Sequence, residues 1–243
     1  MVAQTRTAGH PSPKKLKFHE KLTTKNLTTD GLQKRLKTLH VELAAMDQEA
    51  ADTNSLSTVR KDLMNTSILL HKDRGVKAYA ACCLADLLRL YAPDAPYTQE
   101  QLRDVFQFFF RQLTTGLKGP DSPYYNEYYH LLESLSTVKS VVLVCDLPGA
   151  DELMLDIFRG CFGMVRCNLA KKVELFMADI LMALIDECQN LPQEVLEAIM
   201  AQFMDKNAVS VYVLNYCVLK PDDTSAWTNL RIVLPFKIGR AHV

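Results

Sequence analysis

Apolar residues recur every three to four positions through most of the chain, a period that reads as helix. Leu32, Leu36, Leu39 and Leu43 mark one face of a first helix, which Asp30 opens as N-cap with Gln33 three residues on. A polar link from Asp47 to Asn54 follows, and a second helix is expected over Leu56 to Leu70. The third, Arg74 to Tyr91, shows the pattern best: Val76, Tyr79 with Ala80, Cys83 with Leu84, Leu87 with Leu88, and Tyr91. Alanines at 78, 80, 81 and 85 allow neighbouring helices to approach closely. Ala92-Pro93 then stops the helix, because proline lacks a donor and disfavours helical geometry in the residue before it.

Thr98 and Gln101 form a capping-box pair that opens the next helix, whose inward positions are Leu102, Val105, Phe106, Phe109 and Leu113. Gly116, Gly119 and Pro120 end it. Ser122-Pro123 reads as cap and first residue of a helix to about Ser140, in which Tyr124, Tyr125, Tyr128 and Tyr129 join Leu131, Leu132 and Leu135 on a core face. Val141 to Leu147 is open between helix and strand. Helices are expected again over Asp151 to Val165 and Lys171 to Cys188, and a last one starts at Leu191-Pro192. Roughly eight helices of about 12–20 residues thus follow one another, in pairs of about 40 residues, the range of HEAT and armadillo repeats. The opening Asp73-x-x-Val76-Lys77-x-x-Ala80 has the form of the second helix of a HEAT repeat. The expected fold is all-α, a HEAT/armadillo-like helical solenoid over residues 30–208, with an irregular bundle as the alternative.

The two ends have a different texture. Residues 1–29 are polar and basic and read as a mostly flexible arm. Nine Lys/Arg against two acids give residues 1–37 a net charge of +7, so the remainder of this neutral chain carries −7. Within the arm, Pro13-Lys14-Lys15-Leu16-Lys17 has the form of a short nuclear-import signal, and Ser12-Pro13 that of a phosphorylation site. After Ala208 the texture turns strand-like. Val209-Ser210 is what a splice donor would spell, and Lys237 to Val243 matches a translated sequencing adapter, so residues 209–243 are expected to be a non-native tail.

Composition narrows the function. With 48% hydrophobic and 23% charged residues the bulk is globular. Apolar runs fall far short of the ~20 residues of a membrane span, and the N-terminus has no apolar signal core, so a soluble intracellular protein is expected. The seven cysteines are odd in number and form no C-x-x-C, which favours reduced, buried thiols over disulfides or zinc. No phosphate-binding glycine loop, zinc-protease motif or nucleophile elbow occurs, and His40, His71 and His130 have no paired acid or nucleophile in evident register. No catalytic residue, metal ligand, cofactor or small-molecule substrate is expected.

The strongest functional signal is the turn that ends the third helix. Two prolines fix φ, Asp94 offers an acceptor for an arginine, and Tyr91 and Tyr97 supply apolar walls. The bland alternative is that Asp94 caps and orients the following helix. ACCLADLLRLYAPDAPYT, with VFQFFFRQL and PYYNEYYHLLESLSTVKSVVL, resembles the "precocious dissociation of sisters" (Pds) family of cohesin-associated cohesion regulators, from about Leu16 to Ala208 and including the link Met46-Asp47-Gln48. The resemblance implies a nuclear, chromatin-associated and non-catalytic HEAT-repeat spine. Its implied partners are the kleisin subunit and ATPase-head region of cohesin and the wings apart-like release factor, with DNA contacted indirectly. It also implies a docking site for short peptides, which falls here on Ala92, Pro93, Asp94, Ala95 and Pro96, with Tyr97 and Tyr91 beside them. A generic HEAT adaptor, or a nucleic-acid-binding protein working through its basic arm, are the other function classes.

Overall fold

A computed structural model describes residues 13–165 and 169–204. The expected non-native tail, Cys167, Cys217 and the Ser12 phosphorylation site lie outside the described residues. Two compact units divide the chain, one through Tyr97 and one from Thr98. As the period implies, the fold is all-α: the described residues contain no strand, only an isolated parallel bridge between Lys14 and Ala51. Among them, no helix is long and apolar enough to cross a membrane.

The first unit is built around a single buried helix. It contains α1 (Thr29–Ala44), a 3-10 turn (Thr53–Leu56), α2 (Ser57–Leu63), α3 (Thr66–Leu69) and α4 (Arg74–Tyr91). Helix α4 starts where Asp73 accepts from the Val76 N–H at 2.9 Å, and every residue from Ala78 to Leu88 is buried. A helix apolar all round has to be covered on all sides, and α1 covers one of them with Leu32, Leu36, Leu39 and Leu43. Cys83 Sγ donates to the Leu36 carbonyl at 3.5 Å, His40 meets Asp86 at 2.9 Å, and Arg89 donates to the Leu43 carbonyl at 2.9 Å. These contacts advance in the same sense along both helices, so α1 and α4 run parallel, and the chain between them makes the return.

Three expectations change in this unit. Helix α1 is capped by Thr28, whose hydroxyl accepts from Gly31 N–H at 3.1 Å, and not by Asp30, which already lies in the first turn. The helix expected over Leu56 to Leu70 is broken into α2 and α3, because the Asn65 side chain takes the Ser67 N–H at 2.9 Å and starts a new turn. The flexible basic arm is corrected over residues 13–28. Leu16, Phe18 and Leu22 are buried, and the intervening main chain is held by Ser55, Glu42 and Asp62.

The second unit holds α5 (Gln99–Gly116), α6 (Tyr125–Val138), a 3-10 helix (Ser140–Asp146), α7 (Ala150–Met164), α8 (Lys171–Glu187) and α9 (Gln193–Met204). Helix α5 packs on α7 and α7 on α9, while α6 packs on α8. Arg103 meets Glu152 at 3.1 Å and Gly160 faces Thr114, so α5 and α7 run parallel. Tyr129 stacks edge-on with Phe176 and Ser136 donates to Asp179, so α6 and α8 do too. Alternate helices thus form two layers, the arrangement of a helical-repeat stack, in which each pair leans on its neighbour. The ambiguous Val141 to Leu147 is resolved as the 3-10 helix, which sits among α5 to α8. Helix α6 begins at Tyr125, later than expected from Ser122-Pro123, because Tyr124 takes a left-handed φ of 62° and breaks the turn before it. Of its tyrosines only Tyr128 is fully in the core; Tyr124, Tyr125 and Tyr129 are half-buried.

Gly116 lies close against another helix, since a Cβ there would lie 2.2 Å from the ring of buried Tyr128. Gly116→Ala is therefore expected to destabilise the chain by about 1–3 kcal/mol despite alanine's better helix propensity. Urea denaturation checks this: an unchanged midpoint would mean that the ring can move aside.

Candidate docking turn

Helix α4 ends when Ala92, whose N–H still bonds to the Leu88 carbonyl at 3.1 Å, swings to φ −54° and ψ 140°. The Ala92–Pro93 peptide bond is cis. Three hydrogen bonds brace the turn from Ala92 to Tyr97. Gln48 Nε2 donates to the Ala92 carbonyl at 2.6 Å, Arg60 Nη1 donates to the Pro96 carbonyl, and Tyr97 Oη donates to the Arg60 carbonyl at 3.4 Å. One residue back, Tyr91 Oη donates to the Thr53 carbonyl at 2.9 Å. Every brace comes from the stretch between α1 and α3, so both ends of the turn are fastened to one wall.

This bracing decides which residues are presented. Pro93, Asp94 and Ala95 are exposed, Tyr91 and Ala92 are half-buried, and Pro96 and Tyr97 are buried. The structure therefore brings the seven predicted residues into one turn but gives them two jobs. Pro93 to Ala95 form the tip, and Pro96 and Tyr97 anchor it. Tyr97, expected as an apolar wall, is only 8% exposed and lies beneath the turn. Burial pushes the Tyr97 and Tyr91 phenols above their ordinary range, with the Arg60 guanidinium opposing the shift in both cases.

Asp94 makes no hydrogen bond or ion pair with any described residue. It is not the cap of α5 either. That role belongs to Thr98, which accepts from Gln101 N–H while the Gln101 side chain accepts from Thr98 N–H. Beneath the tip, Arg60 Nε is buried with no acceptor. The turn thus offers a solvated carboxylate on a rigid tip, with an unused buried donor in the residue that braces it.

Sequence reading finds the turn but not its supports. Gln48, Thr53 and Arg60 sit 36 to 44 residues upstream of the atoms they hold, beyond any local period. The Met46-Asp47-Gln48 link belongs to the family resemblance, and that is the one sequence signal pointing to Gln48. His40 is a second miss: it has a paired acid after all, the 1%-exposed Asp86, which also lies 3.9 Å from Arg89. The described cysteines are free thiols. Cys145 and Cys188 approach to 3.8 Å, and burial, with the Cys188 thiol beside it, pushes Cys145 up to about 12.

Alternate helices packed in two layers, as in the second unit, define a class of fold, the helical-repeat stack. Residues 30–214 match the family model described as sister chromatid cohesion protein PDS5, so the match runs past Ala208, where the sequence texture changes. The chain is 43% identical over 183 residues to the fission yeast (Schizosaccharomyces pombe) sister chromatid cohesion protein pds5, covering 75% of this chain and 15% of that protein. It is 36% identical over 179 residues to human PDS5 homolog A, covering 73% and 13%. A solved structure of the Pds5–Scc1 complex superposes with a TM-score of 0.76 at 32% identity, covering 87% of this chain and 34% of the other. The chain belongs to the PDS5 family of sister chromatid cohesion proteins.

Two stability outcomes follow from the bracing. Asp94→Ala removes a solvated group and is expected to change stability by no more than ~0.5 kcal/mol, whereas Arg60→Ala strands the Pro96 carbonyl and costs about 1–3 kcal/mol. Urea midpoints of the two variants decide it, and equal losses would disprove the division into tip and anchor. The second outcome concerns pH. A phenol whose folded pKa is raised stabilises the fold below its unfolded value of about 10, and that contribution is lost as pH rises beyond it. Stability should fall from pH 10 upward, and Tyr97→Phe should flatten that fall; a slope unchanged in Tyr97→Phe would place the titrating group elsewhere.

Proposed function

We propose that this chain acts as a non-catalytic scaffold in regulating the cohesin ring, and that its Ala92–Tyr97 turn is a docking site for short arginine-containing peptides of release and protection factors. The observation that carries the proposal is the unpaired Asp94 carboxylate on a tip whose two ends are tied to Gln48 and Arg60. A carboxylate already held in place accepts a charge-assisted, two-pronged bond from a guanidinium with little ordering left to do. Half-buried Tyr91 and exposed Pro93 flank it with apolar surface.

On this reading the site of action is chromatin in the nucleus. The chain spans about 15% of the length of the curated relatives it matches. Binding of the cohesin kleisin, cooperation with the wings apart-like release factor and influence on the cohesin ATPase heads are therefore proposed for the longer protein type, with the turn as this segment's contribution. The support is family membership together with the likeness to a Pds5–Scc1 complex.

Fluorescence anisotropy with labelled arginine-containing peptides from cohesin release and protection factors tests the docking role. Wild type should bind, and Asp94→Ala should bind at least tenfold more weakly at unchanged circular dichroism, the loss expected for a hydrogen bond to a charged group. Equal affinity of the two would remove Asp94 from the site. Absence of binding to folded wild type would leave the turn without this function.

A further inference from the structure

The N-terminal arm, expected to be loose, is a packed track, and its alternation has a consequence. Leu16, Phe18 and Leu22 point into the first unit at 4%, 8% and 2% exposure. Lys15, Lys17, His19 and Lys21, which interleave with them, are all exposed. Buried and exposed side chains alternate from Lys15 to His19, so burying the apolar set leaves Lys15, Lys17 and Lys21 on the outside, with Glu20 exposed among them. At most about 3.6 Å per residue, Lys15 to Lys21 spans no more than roughly 22 Å.

None of the carboxylates that hold the arm is paired with a lysine of this line. Glu42 accepts from the Lys17 main-chain N–H, Asp62 from the Leu22 N–H at 3.0 Å, and Glu20 pairs with Arg35 at 2.6 Å. Each carboxylate is spent on the arm's main chain or on α1. Among the described residues no ion pair involves Lys15, Lys17 or Lys21. Arg35, which also donates to the Lys21 carbonyl at 2.6 Å and to Thr24, fastens the far end of the track.

From this geometry we infer that the arm binds the phosphate backbone of duplex nucleic acid directly and without sequence preference. A duplex carries one negative charge per about 1.7 Å of axis, so it presents roughly a dozen phosphates over the length of the track. Lysine supplies point charges that suit phosphates, and a row that is already ordered loses little freedom on binding. The outer face from Lys15 to Lys21 holds no apolar side chain to insert into a lipid surface. Lysine is depleted in protein–protein interfaces, and nothing on this face forms the apolar centre that an acidic protein partner would need. The inference is independent of the docking turn.

Anisotropy of a labelled duplex of about 20 base pairs, titrated with the full chain between about 50 and 200 mM NaCl, tests it. Log affinity should fall linearly with log salt. Lys15→Gln, Lys17→Gln and Lys21→Gln combined should reduce that slope by about 3, at about 0.9 for each phosphate no longer neutralised, and weaken binding at least tenfold at about 100 mM. A control with the same net charge, Lys72→Gln, Lys118→Gln and Lys139→Gln combined, should bind nearly as wild type. Circular dichroism of both variants should match wild type, since none of the six lysines is buried. The proposal is overturned by absence of duplex binding, by equal losses in the two triple variants, or by tighter binding to polyglutamate or phosphatidylserine vesicles than to duplex.

Discussion

Burial of every residue of α4 from Ala78 to Leu88 is the constraint on which the first unit depends. A helical stretch without a solvated position must meet partners on every side, and its buried carboxylate, Asp86, must be satisfied inside. His40 reaches it from α1 and Arg89 from the last turn of α4. Arg89 does more than approach that acid. Its guanidinium also donates to the Leu43 and Met46 carbonyls, where α1 ends and its last carbonyls have no partner within the helix. One side chain thereby joins the ends of two parallel helices and sets the level at which the chain leaves α4. The Ala92–Tyr97 turn starts three residues later.

That placement explains why the turn is rigid. Its prolines restrict φ, and hydrogen bonds from outside the turn hold the carbonyls at its two ends, so the tip owes its shape to a wall of packed residues and not to the tip itself. Functional residues on a loop carried by a rigid scaffold are a common solution, because the scaffold bears the stability and the loop is left to present chemistry. Asp94 illustrates it: the most exposed part of the turn carries the charge, and the most buried part, Pro96 with Tyr97, carries the anchoring.

The arm and the turn use the same wall from two directions. Ser55, Asp62 and Ala51 hold the arm, while Thr53 and Arg60 hold the turn and the helix end before it. On sequence the stretch between α1 and α4 reads as a polar link, Asp47 to Asn54, and one helix over Leu56 to Leu70. The Thr53 carbonyl lies in that link and the Arg60 carbonyl in the last turn of α2, and each accepts from a tyrosine hydroxyl. An unbroken helix would have used those carbonyls in its own hydrogen-bond ladder.

Local signals in the sequence are enough for much of this. The limits of α4, the capping box of Thr98 and Gln101, the two-layer helical class and the family all follow from short-range patterns, since helix period, caps and proline stops act within a few residues. The arm shows where such reading fails: Leu16-x-Phe18 is too short to stand as a period, and the neighbours that hold it lie about 40 residues on. The same holds for the site. The sequence by itself determined that Ala92 to Tyr97 form a rigid, charged turn after a buried helix. Only the tertiary structure decided that Asp94 is exposed without a partner among the described residues, that Tyr97 is buried, and that Gln48 and Arg60 hold the frame. Which side of a turn is buried depends on what distant segments pack against it, and no local spacing encodes that.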